Sequence, residues 1–228
     1  MALTLHYHPL SSYCHKALIA IDELGIAVDM QLLNLGDPAE RAAYLQLWPT
    51  GKMPLLVDDG RVVPETSILI EYLQRHHAPA GRRLIPDDAD AALDVRLWDR
   101  LFDLYVMTPM QAHTSDLLRP EADRDPLSVT EARGKLLMAY ELIDRQLDGR
   151  HWITGDAFTM ADCAAAPSLF YAVTYVPLPV ERTRLAAYFE RLMARPSVAR
   201  TVDAARPFFQ WYPGRAGLAK RFFDPEAA

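Results

Sequence analysis

The sequence predicts a small α/β domain followed by an all-helical one. Three observations point to it. Residues 1–77 alternate strand-like runs with helical periodicity in the order β-α-β-(α)-β-β-α. Ala78 to Asp88 is then rich in proline, glycine and charge, the composition of a linker. Beyond it no run alternates like a strand, and apolar residues recur at helical spacing. The expected division is therefore a first domain over 1–78, a linker over 79–88 and a helical domain over 89–228.

Leu3, Leu5 and Tyr7 alternate with Thr4, His6 and His8, the period of a strand with one buried face. Pro9 ends it. Ser11-Ser12 opens a helix that carries Leu18, Ile21 and Leu24, and Gly25 stands at its C-terminal stop. Val28 to Leu33 reads as a second strand. Asp37 as cap and Pro38 in the first turn start a short helix to Leu47. Strand, helix and strand form a βαβ unit whose strands run parallel. Trp48 to Pro54 is loop by composition. Leu55–Val57 and Arg61–Val63 flank Asp58-Asp59-Gly60 as a hairpin, and a helix follows Pro64 as far as His77.

In the second half, Leu97, Leu101, Leu104 and Tyr105 form a helical stripe, and Pro109 is expected to kink or break that helix. Leu118 to Ser128 is a charged connection. Arg133, Leu136, Leu137, Tyr140, Ile143 and Leu147 trace a second helix, stopped at Asp148-Gly149. A third starts at Thr159-Met160-Ala161-Asp162. Leu185, Tyr188, Phe189 and Leu192 mark a fourth, ended by Arg195-Pro196, and 197–205 a short fifth. The aromatic tail from Pro207 to Gly214 is expected to be irregular.

The 228 residues suffice for sizeable cores, and 50% hydrophobic with 24% charged residues is the balance of a soluble globular chain. A net charge of −6 argues against nucleic acid or an anionic membrane as the main partner. No apolar run reaches the ~18 residues that span a bilayer, and no signal peptide is read at the N-terminus. Only two cysteines occur, Cys14 and Cys163, so no disulfide framework is expected. The chain reads as cytoplasmic. Its seven histidines show no zinc-ligand spacing, and no metal is expected.

The most suggestive chemistry sits where the first strand meets the first helix. A helix start offers unpaired N–H groups and partial positive charge, and so favours an anion. A serine hydroxyl there can donate a hydrogen bond to that anion, or it can serve only as the helix cap.

Four motifs resemble those of the cytosolic glutathione transferases, bacterial-like and with a serine-type site. Ser11-Ser12-Tyr13-Cys14 falls where that superfamily keeps a thiol-activating quartet. Gly51-Lys52-Met53-Pro54 is similar to the loop whose proline follows a cis peptide bond. Pro64-Glu65-Thr66 resembles the pair that receives the γ-glutamyl end of glutathione. Gly155 with Thr159-Met160-Ala161-Asp162 resembles the buried capping box of the helical domain. By their order and spacing the chain is identified as a member of that family.

The resemblance implies a thioredoxin-like N-terminal domain, an all-helical C-terminal domain, glutathione as cosubstrate, no metal, and a homodimer. It implies conjugation of the glutathione thiolate to a hydrophobic electrophile held between the domains. Ser11 would hydrogen-bond the sulfur, with Ser12 as second candidate and Tyr7 as a third hydroxyl nearby. A free thiol has a pKa near ~8.5, and lowering it by about two units makes most of it thiolate at neutral pH. Lys52, Met53, Pro54, Glu65 and Thr66 would bind the tripeptide, with Glu65 taking the ammonium, Thr66 the γ-glutamyl carboxylate and Lys52 the other carboxylate. Tyr105, Met110, His113 and Trp211, with Phe208 and Tyr212 beside it, would line the electrophile site. Cys14 reads as a small buried hydrophobe, Cys163 as core, and Thr159 with Asp162 as structural. A glutathione-dependent isomerase or thiol oxidoreductase, and a non-catalytic binding protein on the same fold, are the competing readings.

Overall fold

A computed structural model of the chain describes residues 3–224. Strand β1 (Leu3–Tyr7) leads into helix α1 (Ser12–Leu24), followed by β2 (Asp29–Leu32) and α2 (Pro38–Leu47). The hairpin β3 (Leu55–Asp58) and β4 (Arg61–Val63) precedes α3 (Thr66–His76). The sheet order is β2-β1-β3-β4. β2 runs parallel to β1, as its crossover helix requires, with Leu5 opposite Met30. β1 and β3 pair antiparallel, Leu5 opposite Leu56, and β4 folds back on β3.

Alternation along β3 serves both faces of the sheet. Leu55 joins Leu33 and Tyr44 under α2, whereas Leu56 joins the main core beneath α1 and α3. Asp37 caps α2 through the N–H groups of Ala39 and Glu40, and Gly25 ends α1 in the left-handed region at φ 67°. The Met53–Pro54 peptide is cis.

The remainder is helical: α4 (Ala89–Leu101), α5 (Thr108–Leu117), α6 (Pro126–Gln146), α7 (Met160–Ala172), α8 (Thr183–Ala194) and α9 (Pro196–Ala205). Every residue of α7 is buried, and the helix packs on α1, α4 and α8. A helix apolar on all sides belongs at the centre of a fold. Its start is anchored by Asp162, which accepts from Thr159 N (2.9 Å), Thr159 Oγ1 (3.1 Å), Ile153 N (3.1 Å) and Tyr188 Oη (2.6 Å).

Several sequence expectations shift. The α1 stripe is wider than expected, because α1 is covered by α3, α7 and α9: Ile19 and Ala20 are buried as well, while Leu18 is only half-buried. Leu97, Leu104 and Tyr105 lie on the exposed side of their helix, and the core takes Val95, Trp98, Phe102 and Val106 instead. Pro109 does not break the helix. A π-helical turn (Phe102–Met107) precedes it, and Thr108 directs both its N–H and its hydroxyl to the Asp103 carbonyl, so the ladder is rerouted around the missing proline N–H. α6 begins at Pro126, inside the expected connection, because Asp125 caps it. The aromatic tail is not irregular: 3₁₀ turns cover Arg206–Trp211, Arg215–Gly217 and Lys220–Phe222.

Candidate active site

Ser11 is the N-cap of α1. Its Oγ accepts from Cys14 N at 3.3 Å, and its own N–H donates to the His8 carbonyl at 3.0 Å. A hydroxyl that accepts through oxygen keeps its proton to donate, so cap and anion donor are compatible roles for one side chain. Ser11 is half-buried and stands where three cavities meet. Ser12, one residue on, is buried and reaches only one of them.

The first cavity, about 580 Å³, runs from Ser11 past the loop before β3 to the start of α3. It is lined by Lys52, Met53 and Pro54 on one side and by Glu65 and Thr66 on the other, so all the residues expected to hold the tripeptide face one space. Glu65 is in the left-handed region at φ 65°, a conformation uncommon for a residue with a Cβ. Such strain costs on the order of 1–3 kcal/mol and clusters at ligand sites. Glu65 does not cap α3 with its side chain, and the first-turn N–H groups of a helix lack intrahelical partners. Thr66, Ser67 and Ile68 present that turn to the cavity, a setting suited to a carboxylate.

The second cavity, about 290 Å³, lies between Ser11, α5 and the tail, with Met110, Gln111, Trp211 and Tyr212 in its wall. The third, about 780 Å³, opens between His8, the segment after β2, and Phe208 with Trp211. Met110 and Trp211 are thus brought to Ser11. Tyr105 and His113 are not. Tyr105 is exposed beside Leu142, on the outer stripe of the helix that also carries Leu97. His113 is buried with its ring stacked on Tyr175 at 5.3 Å.

Sequence reasoning missed Tyr13, Trp48, Arg100, Asp103 and Gln111 of these walls. For Asp103 a signal was present. Lys16 sits inside the apolar run of α1, and Asp99 and Asp103 are four apart on one helix. The structure joins them: Lys16 Nζ lies 2.7 Å from Asp99 Oδ1 and 2.9 Å from Asp103 Oδ2, and Ser67 Oγ donates to Asp99 Oδ2 at 2.5 Å. Burial works to discharge Lys16, but the two carboxylates outweigh it and hold its pKa above the ordinary value. Burial raises Asp103 against the pull of Lys16. The cluster ties α1, α3 and α4 together directly behind the first cavity.

Cys14 is fully buried, and burial pushes its thiol up to about 12. It stays protonated and is no nucleophile at neutral pH. Cys163 is also buried, and burial raises its pKa as well. Among the described residues no group of three His, Cys, Asp or Glu side chains is placed to hold a metal, and no helix is long and apolar enough to cross a membrane.

Comparison with known proteins agrees with this layout. The family models for the glutathione S-transferase N-terminal and C-terminal domains match residues 5–81 and 123–191. The glutathione S-transferase-like protein LUC7 of a Fusarium species is 30% identical over 166 residues, 71% of this chain and 72% of that protein. Glutathione S-transferase GstB of Escherichia coli K12 is 25% identical over 88% of this chain and 97% of its own length. A glutathione S-transferase of Methylobacillus flagellatus KT, solved with glutathione bound, superposes with a TM-score of 0.79 at 29% identity, covering 88% of this chain and 98% of that one. Poplar glutathione transferase F1 shares the fold, with a TM-score of 0.80 at 19% identity over 91% of this chain and 99% of its own.

Fold and site thus define a thiol-handling α/β unit of thioredoxin type with an all-helical partner domain. The chain belongs to the glutathione S-transferase family: it is a glutathione transferase, and glutathione is its cosubstrate.

Proposed function

We propose that the enzyme conjugates the glutathione thiolate to a hydrophobic electrophile, with Ser11 as the residue that favours thiolate over thiol. The observation that carries this reading is the position of the Ser11 hydroxyl, at the helix start where the 580 Å³ cavity meets the two cavities under the aromatic tail. Residues 1–78 then hold the tripeptide, and 89–228, with the tail, bound the electrophile's space. Lys52 and the first turn of α3 meet the two carboxylates, Glu65 the ammonium, and Met53 beside Pro54 the peptide backbone. Met110 and Trp211 contact the electrophile. Holding thiolate and electrophile together supplies most of the acceleration, and the ionised sulfur the rest.

The thiol-oxidoreductase alternative is weakened by Cys14, which is buried with a raised pKa beside a serine rather than a second cysteine. A homodimer fits the exposed apolar side chains Ile68, Leu97, Leu104 and Tyr105. A net charge of −6 argues against nucleic acid or an anionic membrane as partner, and the proposed role is a cytoplasmic, detoxifying one.

The test is a pH titration of glutathione bound to wild type and to Ser11→Ala, following thiolate absorbance, with turnover of benzyl chloride in parallel. Wild type is expected to ionise the bound thiol well below its free value of ~8.5, and Ser11→Ala to return it toward that value. Turnover should fall about 10- to 100-fold, the worth of one hydrogen bond to a charged group. If the bound thiol titrates identically in both proteins, Ser11 is only a cap.

A further inference from the structure

We infer that His8 is a second catalytic residue, a neutral hydrogen-bond donor that makes conjugated carbonyl compounds (α,β-unsaturated ketones and aldehydes) preferred electrophiles. This rests on the transferase reading above and names the substrate class.

His8 follows β1 and is pinned on its main chain from both sides. Its N–H points to Cys14 Sγ at 3.5 Å, and its carbonyl accepts from Ser11 N at 3.0 Å. The ring is fixed too. Leu10 N–H donates to Nδ1 at 3.1 Å, so Nδ1 bears no proton and the neutral ring carries its hydrogen on Nε2. The ring meets Phe208 edge-on, centroids 5.5 Å apart at 76°. Among the described residues nothing bonds Nε2, and the half-buried ring stands in the wall of the 780 Å³ cavity that also contains Ser11. Burial lowers the pKa of His8, which keeps the imidazole neutral and the Nε2 proton in place as a donor.

The rest of that wall suits one kind of ligand. Leu10, Leu32, Leu35, Phe208 and Trp211 offer apolar surface, and the Asn34 side-chain oxygen is occupied by Gly36 N–H at 3.2 Å. Ser11 is committed to the sulfur. The Asn34 amide N–H and the His8 Nε2–H are therefore the side-chain donors left for an electrophile oxygen, and His8, whose carbonyl accepts from Ser11 N at 3.0 Å, is the one that adjoins Ser11.

The chemistry balances as an addition. The thiolate sulfur forms a C–S bond at the β-carbon, the C=C π pair shifts toward the carbonyl, and the negative charge settles on its oxygen as an enolate. His8 Nε2–H hydrogen-bonds that oxygen more strongly as the charge develops, which is the requirement for accelerating the step. Water then protonates the α-carbon, and the hydroxide formed is matched by the proton released when glutathione ionised. Nothing is oxidised or reduced, and no group leaves. Displacement of chloride from benzyl chloride, by contrast, places no charge on an oxygen and has no use for this donor.

The experiment compares turnover of benzylideneacetone with that of benzyl chloride, at saturating glutathione, in wild type, His8→Phe and His8→Gln. The ratio of the two rates cancels any loss of folded protein or of glutathione ionisation. His8→Phe is expected to lower that ratio on the order of 10- to 100-fold, the low end for removing one oxyanion donor. His8→Gln, which keeps an N–H at similar reach, should restore most of it. An unchanged ratio in His8→Phe overturns the proposal. So does a ratio that His8→Gln fails to restore, which would assign the ring a packing role against Phe208. Wild type that consumes benzyl chloride but not benzylideneacetone also overturns it while leaving the transferase reading intact. Wild type that binds glutathione yet consumes neither overturns both.

Discussion

At the scale of single residues, the side chains that matter here do two things at once. Ser11 closes a helix with its oxygen and lines the cavity, which leaves its proton available for the donor role proposed above. Asp162 is a harsher case. It is fully buried and accepts four hydrogen bonds from three residues, and burial still raises its pKa against them. Removing it leaves buried donors unmatched on Thr159, Ile153 and Tyr188. Asp162→Ala should therefore cost at least about 4 kcal/mol in urea unfolding, counting roughly 1 kcal/mol or more for each of the four orphaned donors. Thr159→Ala loses only part of the cap and should cost on the order of 1 kcal/mol. Equal costs for the two would mean that Asp162 acts as an ordinary cap and no more.

At the scale of elements, α1 shows how a helix is tuned by what surrounds it. His15 and Lys16 are adjacent and both fully buried, yet their pKa values move in opposite directions. Lys16 finds two aspartates. His15 finds only uncharged partners, the Pro9 carbonyl at 2.6 Å and the Tyr171 hydroxyl at 3.3 Å from Nε2, and burial lowers its pKa to about 4. Between pH 4 and the ordinary value of 6.5 the unfolded chain binds a proton that the folded chain refuses. Stability therefore rises with pH through that window and is lost as pH falls through it, by about 3 kcal/mol for this one group. His15→Gln, which keeps a donor for Pro9 without titrating, should flatten the stability–pH curve by roughly that amount relative to wild type. Urea midpoints at pH 7 and in the acid range measure it, and parallel curves for the two proteins would contradict the assignment. The α4–α5 region makes the complementary point: Pro109 was legible as a disturbance, but not the π-helical turn that absorbs it, which contains the Asp103 that Lys16 holds from another helix.

At the scale of the molecule, one apolar surface is left over. Leu97, Leu104 and Tyr105 are 53%, 47% and 43% exposed, and Met138 and Leu142 on α6 are exposed as well. The helical stripe that marked α4 in the sequence is this outer face, not the core face, which is why periodicity located the helix but pointed Tyr105 to the wrong side. The proposed homodimer would cover that surface with a second copy of the chain. Leu97→Glu with Leu142→Glu is expected to convert a dimer into a monomer in sedimentation velocity, with the helical circular dichroism retained. A wild type that sediments as a monomer removes the dimer from the reading.

The sequence by itself determined the order of elements, the βαβ unit and hairpin, the capped start of α7, and the motifs at Ser11, Met53-Pro54 and Glu65-Thr66. Each of these is a short-range matter: period, cap, turn residue and proline act within a few positions along the chain. The tertiary contacts alone settle that Ser11 rather than Ser12 faces three cavities, that Lys16 joins Asp99 and Asp103 across 83 and 87 positions, that His113 is buried, and that His8 stands in a cavity wall with Ser11. Those outcomes depend on which helix covers which face, and an apolar stripe reads the same whether it meets the core, a cavity or another copy of the chain.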